Sequence, residues 1–175
     1  MSVSDTCHGL CQGITRLNRN IGAAVSWLTL AMVLVMFLLV ALRYFFDTGW
    51  IWLQESVTWM HAAVFMLGAA YTLADDEHVR VDIFYRRMGS RGKALVNLLG
   101  TLLFLIPINV FLLITSWDYV SASWAIQEAS REAGGLPYPW VSLMKSFVPA
   151  AAVLLVLQGI AMILRSVAVL AGRQE

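Results

Sequence analysis

Four long apolar runs constrain this chain more than any other feature: Ile21–Leu42, Val57–Ala74, Ala94–Trp117 and Ser146–Leu164, of 22, 18, 24 and 19 residues. As helices at ~1.5 Å per residue they extend about 27–36 Å. A hydrocarbon core of about 30 Å needs about 20 such residues, so each run is a candidate transmembrane helix. A soluble bundle would carry a polar stripe on every helix, and LAMVLVMFLLVAL (30–42) has none. The first run is too long for a signal-peptide core and RYFFDTGW follows it in place of a cleavage site, so it reads as a retained span.

The expected fold is all-α and membrane-integral, with four transmembrane helices at 21–43, 57–74, 94–117 and 140–165 in a single membrane domain. Residues 1–20 read as a short polar tail. Asp47, Thr48 and Gly49 are turn signals. Trp50, Leu53 and Val57 form one apolar stripe, which predicts a short interfacial helix over 50–56. The third helical pattern continues past Trp117 toward residue 130, because Trp117 and Trp124 are seven apart, and GGLPYP (134–139) ends it.

Charge is concentrated in one place. In DDEHVRVDIFYRR (75–87), seven of thirteen side chains are formally charged, in a chain that is 13% charged overall. Arg16, Arg19, Arg80, Arg86, Arg87, Arg91, Lys93, Arg165 and Arg173 fall on one side of the four spans, against Arg43, Arg131 and Lys145 on the other. Basic residues, not net charge, set orientation, so both termini and the 75–93 loop are expected to be cytoplasmic. Trp50, Trp52, Trp59, Trp117, Trp124 and Trp140 cluster at the opposite ends of the spans, as an interfacial aromatic belt does.

Several side chains carry both a plain and a sharper reading. Cys7 and Cys11, with His8 between them, have a C-x3-C spacing that matches neither usual metal nor redox motifs. They read as reduced thiols on the tail, with metal or redox use as the alternative. Arg43 and Lys145 stand near outer span ends and read as snorkelling cations, or as partners in an ion pair or headgroup contact at a subunit interface. Asn97, Asn109 and Gln158 are amides placed to hydrogen-bond across helices. Ala62/Ala69 and Ala63/Ala70 put small residues on one face of the second span, which permits close packing. Pro107 is expected to bend the third.

No Asp or Glu lies within any of the four runs, and no halves repeat, so the chain alone is not expected to move a solute. Phosphate loops, G-x-S-x-G and H-E-x-x-H are absent, and no enzyme activity, catalytic residue, metal or cofactor is expected. Nucleic acid is not expected as a partner either. A membrane anchor of a redox complex is the alternative function. Against it, His61 and His78 are 17 residues apart, about 25 Å along one helix, and cannot ligate one haem together.

Three segments in order carry a family likeness: ALRYFFDTGWIWLQES (41–56), DDEHVRVDIF (75–84) and EASREAGGLPYPWVSLMKSFVPAA (128–151). With them the chain, from about Leu17 to Arg165, resembles the small membrane subunit (DctQ-type) of tripartite ATP-independent periplasmic (TRAP) transporters. Within that family the 130–147 segment is most similar to the mannitol/chloroaromatic subgroup. One departure stands out: Gln54 precedes Glu55 where the family often has two adjacent acids.

The resemblance implies a non-catalytic scaffold in a bacterial inner membrane. Its partners would be a large DctM-type elevator subunit, a periplasmic substrate-binding protein and phospholipids, and the complex would import an organic acid with sodium. Candidate subunit-interface or lipid contacts are then Arg43, Trp52, Glu55, His78, Arg80, Asp82, Arg86, Arg87 and Lys145.

Overall fold

A computed structural model describes residues 3–75, 85 and 87–172, with side chains from His8 onward. The described residues are helical, without strands. Helix α1 is Val3–Phe46, α2 is Ile51–Ala74, α3 is Ser90–Ala125 and α4 is Trp140–Leu170. All four are long and apolar enough to cross a membrane. They run alternately up and down, so both termini and the α2–α3 connection share one end, called here the termini end. The 47–50 and 126–139 connections share the other, the loop end.

Helix α1 departs most from expectation. Residues 3–20, read as a polar tail, are its first five turns. Cys11, Thr15, Asn18 and Gly22 recur at helical spacing and are all buried, so this extension has an inward face made of small and polar groups instead of apolar ones. It packs against the last turns of α4. Asn18 Nδ2 donates to Gln158 Oε1 at 2.9 Å, Arg165 Nη2 to Thr15 Oγ1 at 2.8 Å, and the Cys11 thiol to the Ala161 carbonyl at 3.7 Å. Cys11 is therefore a buried helical residue and not part of a loose tail. Gly22 allows close approach to α2, since a Cβ there would lie 2.4 Å from Tyr71 Cβ.

Helix α2 is continuous from Ile51 with Trp50 as its N-cap, so residues 51–56, where a separate interfacial helix was expected, form its opening turns. Neither Pro nor Gly falls between Ile51 and Leu67 to interrupt the ladder. Its buried stripe is Leu53, Met60, Ala63, Ala70 and Leu73. Of the two alanine repeats, Ala63/Ala70 lies fully inside.

Helix α3 ends at Ala125, short of residue 130, and widens to a π turn at Thr101–Leu105, where Ile106 N–H bonds the Thr101 carbonyl five residues back. The π turn stands just before Pro107, whose missing N–H interrupts the ladder in any case. It rests on Gly159 of α4, where a Cβ would meet Leu105 Cδ2 at 2.7 Å and Ile106 Cδ1 at 2.8 Å. Asn109, expected to bond across helices, donates instead to the Leu105 carbonyl of its own helix at 2.8 Å. Asn97 pairs with the Tyr85 hydroxyl, and Gln158 does bond across helices.

Candidate functional site: the stapled loop end

The last turn of α3 builds the site. Gln127 adopts a left-handed conformation (φ 51°), Glu128 N–H bonds the Ser123 carbonyl and Gln127 N–H the Trp124 carbonyl. This is a Schellman motif. It turns Glu128 back over the helix end, where its carboxylate accepts from Ser123 Oγ at 2.6 Å and pairs with the Lys145 ammonium. Lys145 also stands over the Tyr119 ring, 4.2 Å from its centroid. Both charged side chains are mostly covered, at 17% and 15% exposure. Lys145 and Ser123 beside it hold the Glu128 carboxyl below its usual range, helped by the charge of Arg131 and opposed by burial.

A second carboxylate closes the same connection. Glu55 Oε1 accepts from Ser130 Oγ, and Oε2 accepts the Leu136 N–H at 2.7 Å. Ser130 and Leu136 are themselves joined, Ser130 N–H to the Leu136 carbonyl at 2.9 Å. Gly134 takes φ +79°, and a Cβ on Gly135 would fall 2.4 Å from Ser130 Oγ and 2.8 Å from Glu55 Oε2. The GG pair is thus required twice, once for a left-handed turn and once for space. The Gly134 carbonyl, in return, accepts the N–H of Trp52 at 3.0 Å, one of the amides that the start of α2 leaves without a helical partner.

Tryptophans bind the corner together. Trp59 Nε1 donates to the Trp140 carbonyl at 3.1 Å and its ring meets Trp140 edge-on, with centroids 5.3 Å apart. Trp124 Nε1 donates to Ser146 Oγ at 3.0 Å. These side chains sit where the aromatic belt was expected, and they also link α2, α3 and α4.

The structure divides the sequence-derived candidates into three groups. Glu55 and Lys145 use their charged atoms within the chain. Arg43 and Trp52 are exposed: Arg43 lines an open groove with Asp47, Thr48, Trp50 and Gln54, and Trp52 stacks on Trp50 at 6.2 Å. Arg87 is exposed at the opposite end. His78, Arg80, Asp82 and Arg86 lie outside the described residues. Among the described residues no cluster of His, Cys, Asp or Glu could hold a metal ion. His61 is exposed and stacks on Phe65 at 6.3 Å, consistent with an interfacial position.

The carboxylates of Glu55 and Glu128 and the Lys145 ammonium are all taken up by partners within the chain. Together they tie the 126–139 connection to α2 and α4. Sequence reasoning singled out Glu55 and Lys145 but missed their partners Ser130 and Glu128, and it missed the α1–α4 polar seam.

Comparison with known proteins places this architecture. A family model for the DctQ component of tripartite ATP-independent periplasmic transporters matches residues 32–169. The chain is 28% identical over 109 residues to the C4-dicarboxylate TRAP transporter small permease protein DctQ of Vibrio cholerae serotype O1. That match covers 62% of this chain and 46% of the relative, so the chain spans about half the length of the curated relative it matches. No solved structure matches it. With four helices able to span a membrane and a family match over most of its length, this chain belongs to the DctQ component family of TRAP transporters.

Proposed function

We propose that this chain is the small, non-catalytic scaffold subunit of a sodium-coupled TRAP transporter in a bacterial inner membrane. Its termini face the cytoplasm, in accord with the basic-residue asymmetry. It braces a large DctM-type subunit that works as an elevator, to which a periplasmic protein delivers substrate. The cargo is an organic acid. The relative's printed substrate makes a C4-dicarboxylate the first to test, and the likeness to the mannitol/chloroaromatic subgroup adds 2-oxo and aromatic acids.

The observation that carries the reading is where the chain holds itself together. Its polar contacts gather at the two ends, while between them α1 has no buried residue from Ala23 to Phe46. Leu34, Phe37, Phe104, Phe111 and Ile114 of α1 and α3 point outward. A bundle fixed at its ends and apolar along its flanks suits a static wall in lipid, against which a moving neighbour can push. Arg43 and Trp52 are contacts proposed for that neighbour at the loop end. His78, Arg80, Asp82, Arg86 and Arg87 are proposed for it, or for anionic lipid, at the termini end.

Co-expression with its large subunit tests this. The two chains are expected to co-purify, and liposomes holding both, with the binding protein and a sodium gradient, are expected to accumulate the acid. Charge reversal at Arg80 and Asp82 is expected to reduce co-purification. Ion-driven uptake by this chain alone would overturn the proposal.

A further inference from the structure

The termini end holds a cleft that the scaffold role does not use. It opens between the α1 extension, the end of α2 and α4, and Gly9, Gly13, Arg16, Arg19, Asn20 and Arg165 line it. Gly9, Gly13, Arg16 and Asn20 follow one another at four, three and four residues, a single stripe of α1.

Two guanidinium groups are held in place from within. Arg165 donates to Thr15 Oγ1 at 2.8 Å, and Arg19 Nε donates to Asp75 Oδ1 at 2.6 Å. Each arginine has five N–H donors, so both keep donors to spare. Arg16 is exposed and makes no ion pair among the described residues. Against three cations, the one described carboxylate here is Asp75.

The glycines point the same way. A Cβ at Gly9 or at Gly13 would meet nothing within 4 Å among the described residues, so no packing seen there requires either. Glycine within a helix costs about 1 kcal/mol relative to alanine. What two of them on one face do provide is a bare floor, on which a ligand can come close to the helix backbone beside the guanidinium groups.

Depth identifies the chemistry. The apolar runs of α1, α2 and α4 stop at Ile21, Ala74 and Leu164, and Arg16, Arg19 and Arg165 stand just beyond them. The cleft therefore lies where hydrocarbon gives way to headgroups. We infer that it is a binding site for a phosphate group, supplied by the headgroup of an anionic phospholipid or by a soluble phosphate. Arginine suits that ligand because its planar fork matches the phosphate oxygens.

Native mass spectrometry of the full chain in neutral detergent tests the site. One probe is phosphatidylglycerol, and another is a monoglucosyl diacylglycerol that has the same chains and no phosphate. Inorganic phosphate at millimolar concentration is the third. One phosphatidylglycerol is expected to stay bound through activation that strips the glucolipid. Arg16→Gln, which breaks no hydrogen bond or ion pair among the described residues, is expected to weaken it about fivefold, and Arg131→Gln, at an exposed arginine of the loop end, to leave it unchanged. Displacement of the lipid by inorganic phosphate would assign the site to a soluble phosphate. Resistance to displacement would assign it to the headgroup. Equal retention of the two lipids with no effect of phosphate would overturn the inference, and so would unchanged binding in a folded Arg16→Gln variant.

Discussion

Glu55 in α2 grips Leu136 from 81 residues away, its Oε2 accepting the Leu136 amide at 2.7 Å while Oε1 takes the Ser130 hydroxyl. One carboxylate thereby closes both ends of the 130–136 turn. A neutral amide in its place keeps only one acceptor oxygen, and alanine keeps none. Glu55→Ala is expected to cost about 1–3 kcal/mol, the penalty for partly buried donors left without an acceptor. Glu55→Gln should cost less. Hydrogen exchange checks this at one amide: Leu136 should lose protection in Glu55→Ala while the core of α2 keeps its own. Unchanged protection at Leu136 would show that the turn holds its shape without the staple.

The Glu128–Lys145 pair should show its strength in combination. Removing one partner leaves the other charge largely covered and uncompensated, whereas removing both restores neutrality. Lys145→Met alone is therefore expected to lower the thermal unfolding midpoint more than Lys145→Met with Glu128→Gln does. The reverse order would mean that Glu128 stabilises the helix end through Ser123 independently of Lys145.

Acid should release the same contact. The Lys145 hydrogen bond, then that from Ser123, holds the folded Glu128 pKa below its ordinary value of 4.5. The unfolded chain then binds the proton more readily, and stability from this group rises with pH across that window. Its contribution is complete above about 4.5 and fades as pH falls through the lower, folded value. Wild type and Glu128→Gln are expected to differ most in midpoint at neutral pH, and the gap should close in acid. A gap that persists below the folded value would remove Glu128 titration as its cause.

Much of this was legible in the sequence because hydrocarbon imposes a length and an apolar composition that no other environment demands. The four spans, the Asp47–Gly49 turn and the tryptophan-rich end follow from that. The α1 extension escaped notice for a physical reason. Its inward stripe is Cys11, Thr15, Asn18 and Gly22, and a search for apolar periodicity passes over such residues. Read as small or hydrogen-bonding groups at the same spacing, they would have marked a helix. Asn18 and Gln158, each 1% exposed, could only be paired once α1 and α4 were known to be neighbours. Glu128 and Ser130 looked like ordinary loop polarity. Their role depends on the left-handed turn at Gln127 and on the missing Cβ at Gly135, and only the second left a trace, as GG. Asn109 misled because an amide in a membrane span suggests a partner helix, yet its side chain reaches back one turn to the Leu105 carbonyl of its own helix.

Gly22 and Gly159 look alike in sequence, each a glycine in or at the edge of an apolar run, but the structure separates them. A Cβ at Gly22 would lie 2.4 Å from Tyr71 Cβ, an atom that moves only with the α2 backbone, and 2.5 Å from its Cγ. At Gly159 the obstacles are Leu105 Cδ2 and Ile106 Cδ1, the free ends of rotatable side chains. Gly22→Ala must therefore push α1 and α2 apart, for a cost of about 1–3 kcal/mol. The parting would also loosen the nearby Arg19–Asp75 contact. Gly159→Ala should be absorbed by a rotamer change, at well under that cost, since alanine also favours the helix. Unfolding midpoints of the two variants in the same detergent compare them directly. A Gly22→Ala variant as stable as wild type, or less impaired than Gly159→Ala, would mean that the α1–α2 seam is looser than this close approach implies.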